Sequence, residues 1–134
     1  VFIVSCSDTG TDTQTPEWHK LLGSYYVTCE EDYVDEAKNI HTKRDVTFTM
    51  SIKLVSGNTV QFNYQSEMIK GIISRGNTKW EIIQTIPPAT TYALTFNSFD
   101  ENKWSGVYSK TIVKSLNDGN IIYVGGKITG QKLK

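Results

Sequence analysis

Cysteine, histidine and proline are scarce: the 134-residue chain holds two, two and three of them. Two cysteines cannot build a multi-bridge framework, and a chain of this length can bury an adequate core without one. His19 and His41 stand alone, with no His-x-x-x-His or Cys-x-x-Cys spacing, so the pattern offers no zinc ligand set. Net charge is absent too. Fourteen Lys and Arg balance 14 Asp and Glu, which excludes the overall basic excess that steers a chain to nucleic acid. No apolar run approaches the ~20 residues of a membrane-spanning helix. There is no Gly-x-Ser-x-Gly elbow, no phosphate-binding glycine loop and no Asn-x-Ser/Thr glycosylation site. The expectation is a protein without catalytic residues, metal or cofactor. A small hydrolase would need a carboxylate pair or a His–carboxylate contact in a cleft, and no spacing singles one out.

What the chain does have is alternation. Val46, Phe48, Met50, Ile52 and Leu54 alternate with Thr47, Thr49, Ser51 and Lys53, the pattern of an antiparallel strand with one wet and one buried face. Ser56-Gly57-Asn58 reads as a hairpin turn, and Val60, Phe62 and Tyr64 continue the pattern in the return strand. Further strands are expected at Ser24–Cys29, at Met68–Ser74 broken by Gly71, at Trp80–Gln84 and around Tyr92, Leu94 and Phe96. The last two are Trp104–Leu116, with a bulge at Gly106, and Ile121–Val124 after the turn Asn117-Asp118-Gly119-Asn120. Pro87-Pro88 ends a strand because proline cannot donate to a ladder. The acidic stretch Glu30–Asn39 reads as a short helix or lid-like loop, and Asn97–Lys103 as a polar loop. About eight strands at regular spacing predict an all-β barrel, with a β-sandwich as the alternative, after a short helical turn opened by Pro16.

Seven Tyr, five Phe and three Trp are the other informative feature. Most fall on the buried parity of their strands, where they either fill a closed core or line a pocket with a few polar groups. The candidate ligand-pocket residues are Phe62, Tyr64, Trp80, Tyr92, Trp104 and Tyr108. The carboxylates Glu30, Glu31, Asp32, Asp35 and Glu36 lack the turn glycine of a calcium loop and read as a solvated face. Charge is also unevenly placed: residues 1–42 hold eight acids against Lys20 and Lys38, while residues 43–134 hold twelve bases against six acids.

The amino end reads as an address. The sequence starts at Val1 rather than Met, which is expected of a processed chain or a fragment. Val1–Ser5 is a small apolar run, Cys6 follows, and Ser7–Pro16 contains no large apolar side chain, as expected of a flexible tether. This arrangement resembles a bacterial lipoprotein, with Val4-Ser5-Cys6 matching the end of the lipobox. The resemblance implies that residues 1–16 are a signal-peptide remnant and tether and that Cys6 carries the acyl chains that anchor it to a membrane. The alternative is a Cys6–Cys29 disulfide, which would close a loop worth roughly 3 kcal/mol. Either reading places the protein outside the cytosol, in the bacterial cell envelope or secreted.

Residues 17–134 form the expected barrel domain. Leu21-Leu22-Gly23-Ser24-Tyr25 resembles the opening Leu-x-Gly-x-Trp motif of the lipocalin-like proteins, with Tyr25 in place of Trp and Lys127 as the basic residue near the last strand. The resemblance implies a barrel that binds a small apolar or amphipathic molecule without catalysis. A protein partner at the cell surface, with the chain as an accessory subunit, is the alternative; no nucleic-acid partner is expected.

Overall fold

The structure, a computed structural model, describes residues 16–76, 79–87, 90–100, 102–115 and 120–133. The Cys6 lipidation or disulfide, the expected tether before Pro16, and residues 117–119 of the expected turn Asn117–Asn120 lie outside the described residues. Eight antiparallel strands follow one another round a closed barrel. They are β1 (Gly23–Asp35), β2 (Ile40–Ser56), β3 (Thr59–Tyr64), β4 (Glu67–Gly76), β5 (Lys79–Ile86), β6 (Thr90–Phe99), β7 (Lys103–Ser115) and β8 (Asn120–Lys132). β8 pairs back with β1, from Tyr25 opposite Lys132 to Asp35 opposite Ile122. The expected barrel is present, and closure sets the β-sandwich aside.

Alternation in the sequence becomes inside and outside here. In β1, Tyr25, Val27, Cys29 and Glu31 are buried while Ser24, Tyr26, Thr28 and Glu30 are exposed. Ile69 and Ile73 of β4 point inward, and Met68, Lys70 and Ile72 outward. The interior is filled by Met50, Ile52, Val60, Phe62, Ile82, Leu94 and Ile128 among others, an apolar core inside a largely polar wall. That polarity is the reverse of a membrane-spanning barrel, whose outer band is apolar. No helix among the described residues is long and apolar enough to cross a membrane.

One end of the barrel is plugged. Pro16 leads into a 3-10 turn, Glu17–Leu21, that buries Trp18 and Leu21 against the core. The Tyr25 hydroxyl donates to the Leu21 carbonyl at 2.9 Å, and Arg75 Nη1 reaches Glu17 Oε1 at 3.3 Å, tying the turn to β4.

Five sequence expectations need correction. The acidic stretch is neither helix nor lid: β1 runs on to Asp35, residues 36–39 turn, and Ile40 begins β2. Its alternation is hidden because the inward residues are Glu31 and Asp35, buried carboxylates where an apolar pattern is looked for. Asn39 takes the left-handed conformation that closes this turn (φ 53°). β8 extends to Lys132 through Gly125, Gly126 and Gly130, and Gly71 lies within β4 without breaking it. β6 continues through Asn97 to Phe99 instead of looping out. The bulge sits in β6 between Phe96 and Ser98, opposite Ser105 and Gly106, rather than at Gly106 itself.

Gly106 has a different reason for its small size. A Cβ there would collide with the Thr95 carbonyl oxygen across the β6–β7 ladder. Gly106→Ala is therefore expected to destabilise the barrel by about 1–3 kcal/mol through overpacking. Calorimetry checks this as a lower Tm; an unchanged Tm would show that the two strands separate without penalty.

Candidate functional site

The end opposite the plug gathers the polar interior. Inward positions there carry Glu31 and Cys29 from β1, Arg44 from β2, Tyr64 from β3, Glu67 from β4, Tyr92 from β6, and Tyr108 and Lys110 from β7. Period two places these side chains, and the short β3–β4 turn at Gln65, in the left-handed conformation (φ 55°), brings Tyr64 and Glu67 to one rim.

Two carboxylates organise the cluster. Glu31 is 5% exposed and accepts from Arg44 Nε and from the Tyr64 hydroxyl, each at 2.6 Å. A buried carboxylate is tolerated only when so paired. Glu67 accepts from the Tyr92 hydroxyl at 2.6 Å and from Lys110 Nζ at 3.1 Å, and that ammonium lies 5.3 Å from the centroid of the Tyr92 ring. Between the two pairs, the Tyr64 and Tyr108 rings lie flat on each other, 3.8 Å between centroids and 3° between planes.

Tyr108 is the unusual member. Its side chain is fully buried and its hydroxyl has no hydrogen-bond partner among the described residues. It borders a half-open recess of about 220 Å³, shared with Tyr64, Gln65, Ser66, Glu67, Lys110 and Val124. An unsatisfied buried hydroxyl costs on the order of 1–3 kcal/mol, so its position at a recess marks a place where a partner would be favourable.

The electrostatics keep the phenols neutral. Burial pushes the Tyr64 hydroxyl far above its ordinary range, and its hydrogen bonds to Cys29 and Glu31 push the same way. Tyr108 is raised by burial and by the nearby Glu67 charge. Burial and the Glu67 hydrogen bond push Tyr92 up to about 12. The buried Cys29 thiol is raised by burial as well, which keeps it a thiol rather than a nucleophilic thiolate.

The six sequence candidates do not converge on one hollow. Tyr64 and Tyr108 meet at the mouth, with Tyr92 one contact away through Glu67. Phe62 packs beneath Tyr108, centroids 6.5 Å apart. Trp104 is buried near the plugged end, edge-on to Tyr25 at 5.6 Å and to Phe96 at 5.1 Å. Trp80 is half-buried beside Arg75, 5.5 Å from its ring centroid. Lys127 points outward and is exposed, so Trp104 rather than a basic residue covers Tyr25. Sequence reasoning missed Arg44, Glu67 and Lys110, because lone charges in strands look like wet-face residues, and it read Glu31 as part of a solvated acidic face; each shares the inward parity of apolar residues in its strand, which was the available signal.

Neither histidine joins the mouth cluster. His41 Nε2 lies 3.7 Å from Asp32 Oδ1, but on the exposed face of the β1–β2 hairpin. His19 packs against the Trp18 ring. Among the described residues no three His, Cys, Asp or Glu side chains come together as a metal site. No protein-family model matches the chain, and none of the curated proteins or solved structures compared with it does.

The raised tyrosines give a pH dependence. A group whose folded pKa lies above its unfolded value keeps its proton longer in the native state, so the unfolded state releases protons first as pH rises past about 10. Stability is expected to be fully present below pH 10 and to fall as pH rises toward 12, the Tyr92 value. Tm measured from pH 8 to 11.5 checks this. Tyr92→Phe should flatten the alkaline slope; an identical slope in the variant would remove Tyr92 from the account.

Proposed function

We propose that the chain is an exported, lipid-anchored, lipocalin-like barrel that holds a small amphipathic molecule at its open mouth without transforming it. The observation that carries this reading is the buried Tyr108 hydroxyl, without a partner among the described residues, beside the mouth recess. A ligand's polar head would bond that hydroxyl and the edge of the Lys110–Glu67 pair, while its apolar body lies against Val124 and the Tyr64 ring. Lys110 is already neutralised by Glu67, so the head group need not be anionic. The export and anchor rest on the Val4-Ser5-Cys6 run and the polar tether after it. An intact mass of the protein from its native host tests them: two or three acyl chains on Cys6 are expected, and an unmodified Cys6 overturns the anchor.

The second reading, an accessory subunit of a cell-surface complex, draws on the outer wall. β3 pairs with β2 only from Ile52 onward, so the first half of β2 extends past its neighbour, and Met68 and Ile72 are about 60% exposed. A protruding strand edge and exposed apolar side chains are features of protein contacts.

The two readings separate by titration with the amphipathic probe 1-anilinonaphthalene-8-sulfonate on the natively folded protein. Mouth binding predicts fluorescence enhancement that Tyr108→Phe weakens about three- to tenfold, the worth of one hydrogen bond. Lys110→Gln should weaken it similarly. No enhancement, or enhancement indifferent to both substitutions, rejects the mouth as a ligand site.

A further inference from the structure

A second hollow lies outside the barrel, near the plugged end. It is a groove of about 650 Å³ crossing β1, β8, β7 and β6. Its floor is a row of four hydroxyls in cross-strand register: Thr28 opposite Thr129, Thr129 opposite Ser105, and Ser105 opposite Ser98. With strands ~4.8 Å apart, the row spans ~14 Å. Ser98 belongs to it only because of the bulge after Phe96. Tyr92, Leu94 and Phe96 point inward, so an unbroken β6 would turn Ser98 inward too; the register shift turns it out. Its Oγ lies 2.6 Å from Ser105 Oγ.

Aromatic and amide groups border this row. Tyr26, 51% exposed, stands beside Thr28 on β1 and opposite Gln131 of β8, and the half-buried Phe99 lies at the β6 end. The charged lining residues, Asp100 and Lys103, have opposite signs and cancel. Such a surface does not suit a phosphate-bearing ligand, which needs a basic floor, or an apolar segment, which needs an apolar one. Ser and Thr hydroxyls both donate and accept, and so do the hydroxyls of a sugar. The electron-rich face of an exposed tyrosine attracts the partly positive C–H face of a sugar ring.

We infer that this groove binds a neutral oligosaccharide laid across the four strands, with one ring stacked on Tyr26 and its hydroxyls bonded to the Thr28–Thr129–Ser105–Ser98 row. The site is separate from the mouth recess and does not depend on it. The protein would thus hold a glycan on its outer wall at one end.

Affinity electrophoresis of the full chain tests this, through native gels containing hydroxyethylcellulose, galactomannan or soluble starch, with heparin as the anionic control. Retardation by at least one neutral polymer is expected, with a matching signal in calorimetry using that polymer's hexasaccharide. Tyr26→Ala should weaken binding about tenfold while Tyr26→Phe, which keeps the ring, should retain it. Thr129→Ala should also weaken it, and Tyr108→Phe at the other end should leave it unchanged. These groove side chains face outward, and matching Tm values certify that the variants fold. Retardation by heparin alone, by no polymer, or equally in wild type and Tyr26→Ala overturns the inference.

Discussion

The β1–β8 seam is the pairing on which everything else in this barrel depends. Both strands are thirteen residues long, and their ladder reaches from Tyr25 opposite Lys132 to Asp35 opposite Ile122. Closing the sheet leaves it no lateral edge over the length of the seam and fixes which side chains point in. Close approach to β8 from both of its neighbours, β1 and β7, asks for residues without side chains. A Cβ at Gly126 would strike the Glu30 carbonyl, one at Gly125 the Tyr108 carbonyl, and one at Gly130 the Trp104 indole. The glycines that look like punctuation in the sequence are what let β8 complete the cylinder.

Closure also creates a gradient along the barrel axis. At the plugged end the interior is apolar and aromatic, with Trp18, Leu21, Tyr25, Phe96 and Trp104 in one core cluster. At the mouth it is polar and paired, Glu31 with Arg44 and Tyr64, Glu67 with Lys110 and Tyr92. Buried charge of this kind is weak evidence for stability, since a well-packed apolar cluster could replace it. The stacked Tyr64–Tyr108 pair joins the two regimes: its rings belong to the core, while the Tyr64 hydroxyl serves Glu31 and the Tyr108 hydroxyl serves none of the described residues.

The two proposed sites divide the barrel between its inside and its outside. The mouth recess uses inward positions of β3, β4, β7 and β8, and the groove uses outward positions of β1, β8, β7 and β6. β7 contributes to both, with Tyr108 and Lys110 facing in and Ser105 facing out. A strand's two faces are independent in chemistry but share one register. A slip of one residue in β7 would exchange them and destroy both sites together.

The sequence alone determined the all-β class, the strand alternation and the burial of Phe62, Tyr64, Tyr92, Trp104 and Tyr108, because apolar period two is a local signal that needs no knowledge of neighbours. It also carried the helical turn after Pro16, since proline pre-sets the backbone there. The continuation of β1 through Glu30–Asp35 was not legible, because its inward residues are carboxylates whose partners, Arg44 and Tyr64, lie 13 and 33 residues away from Glu31. The parity switch at Asn97 was equally hidden, since a bulge is defined by the opposing strand. Only closure decided that Tyr64 and Tyr108 stack at the mouth while Trp80 and Trp104 lie elsewhere. Alternation says which face a residue takes; which residues meet across a barrel is set by register and curvature, and those belong to the whole sheet.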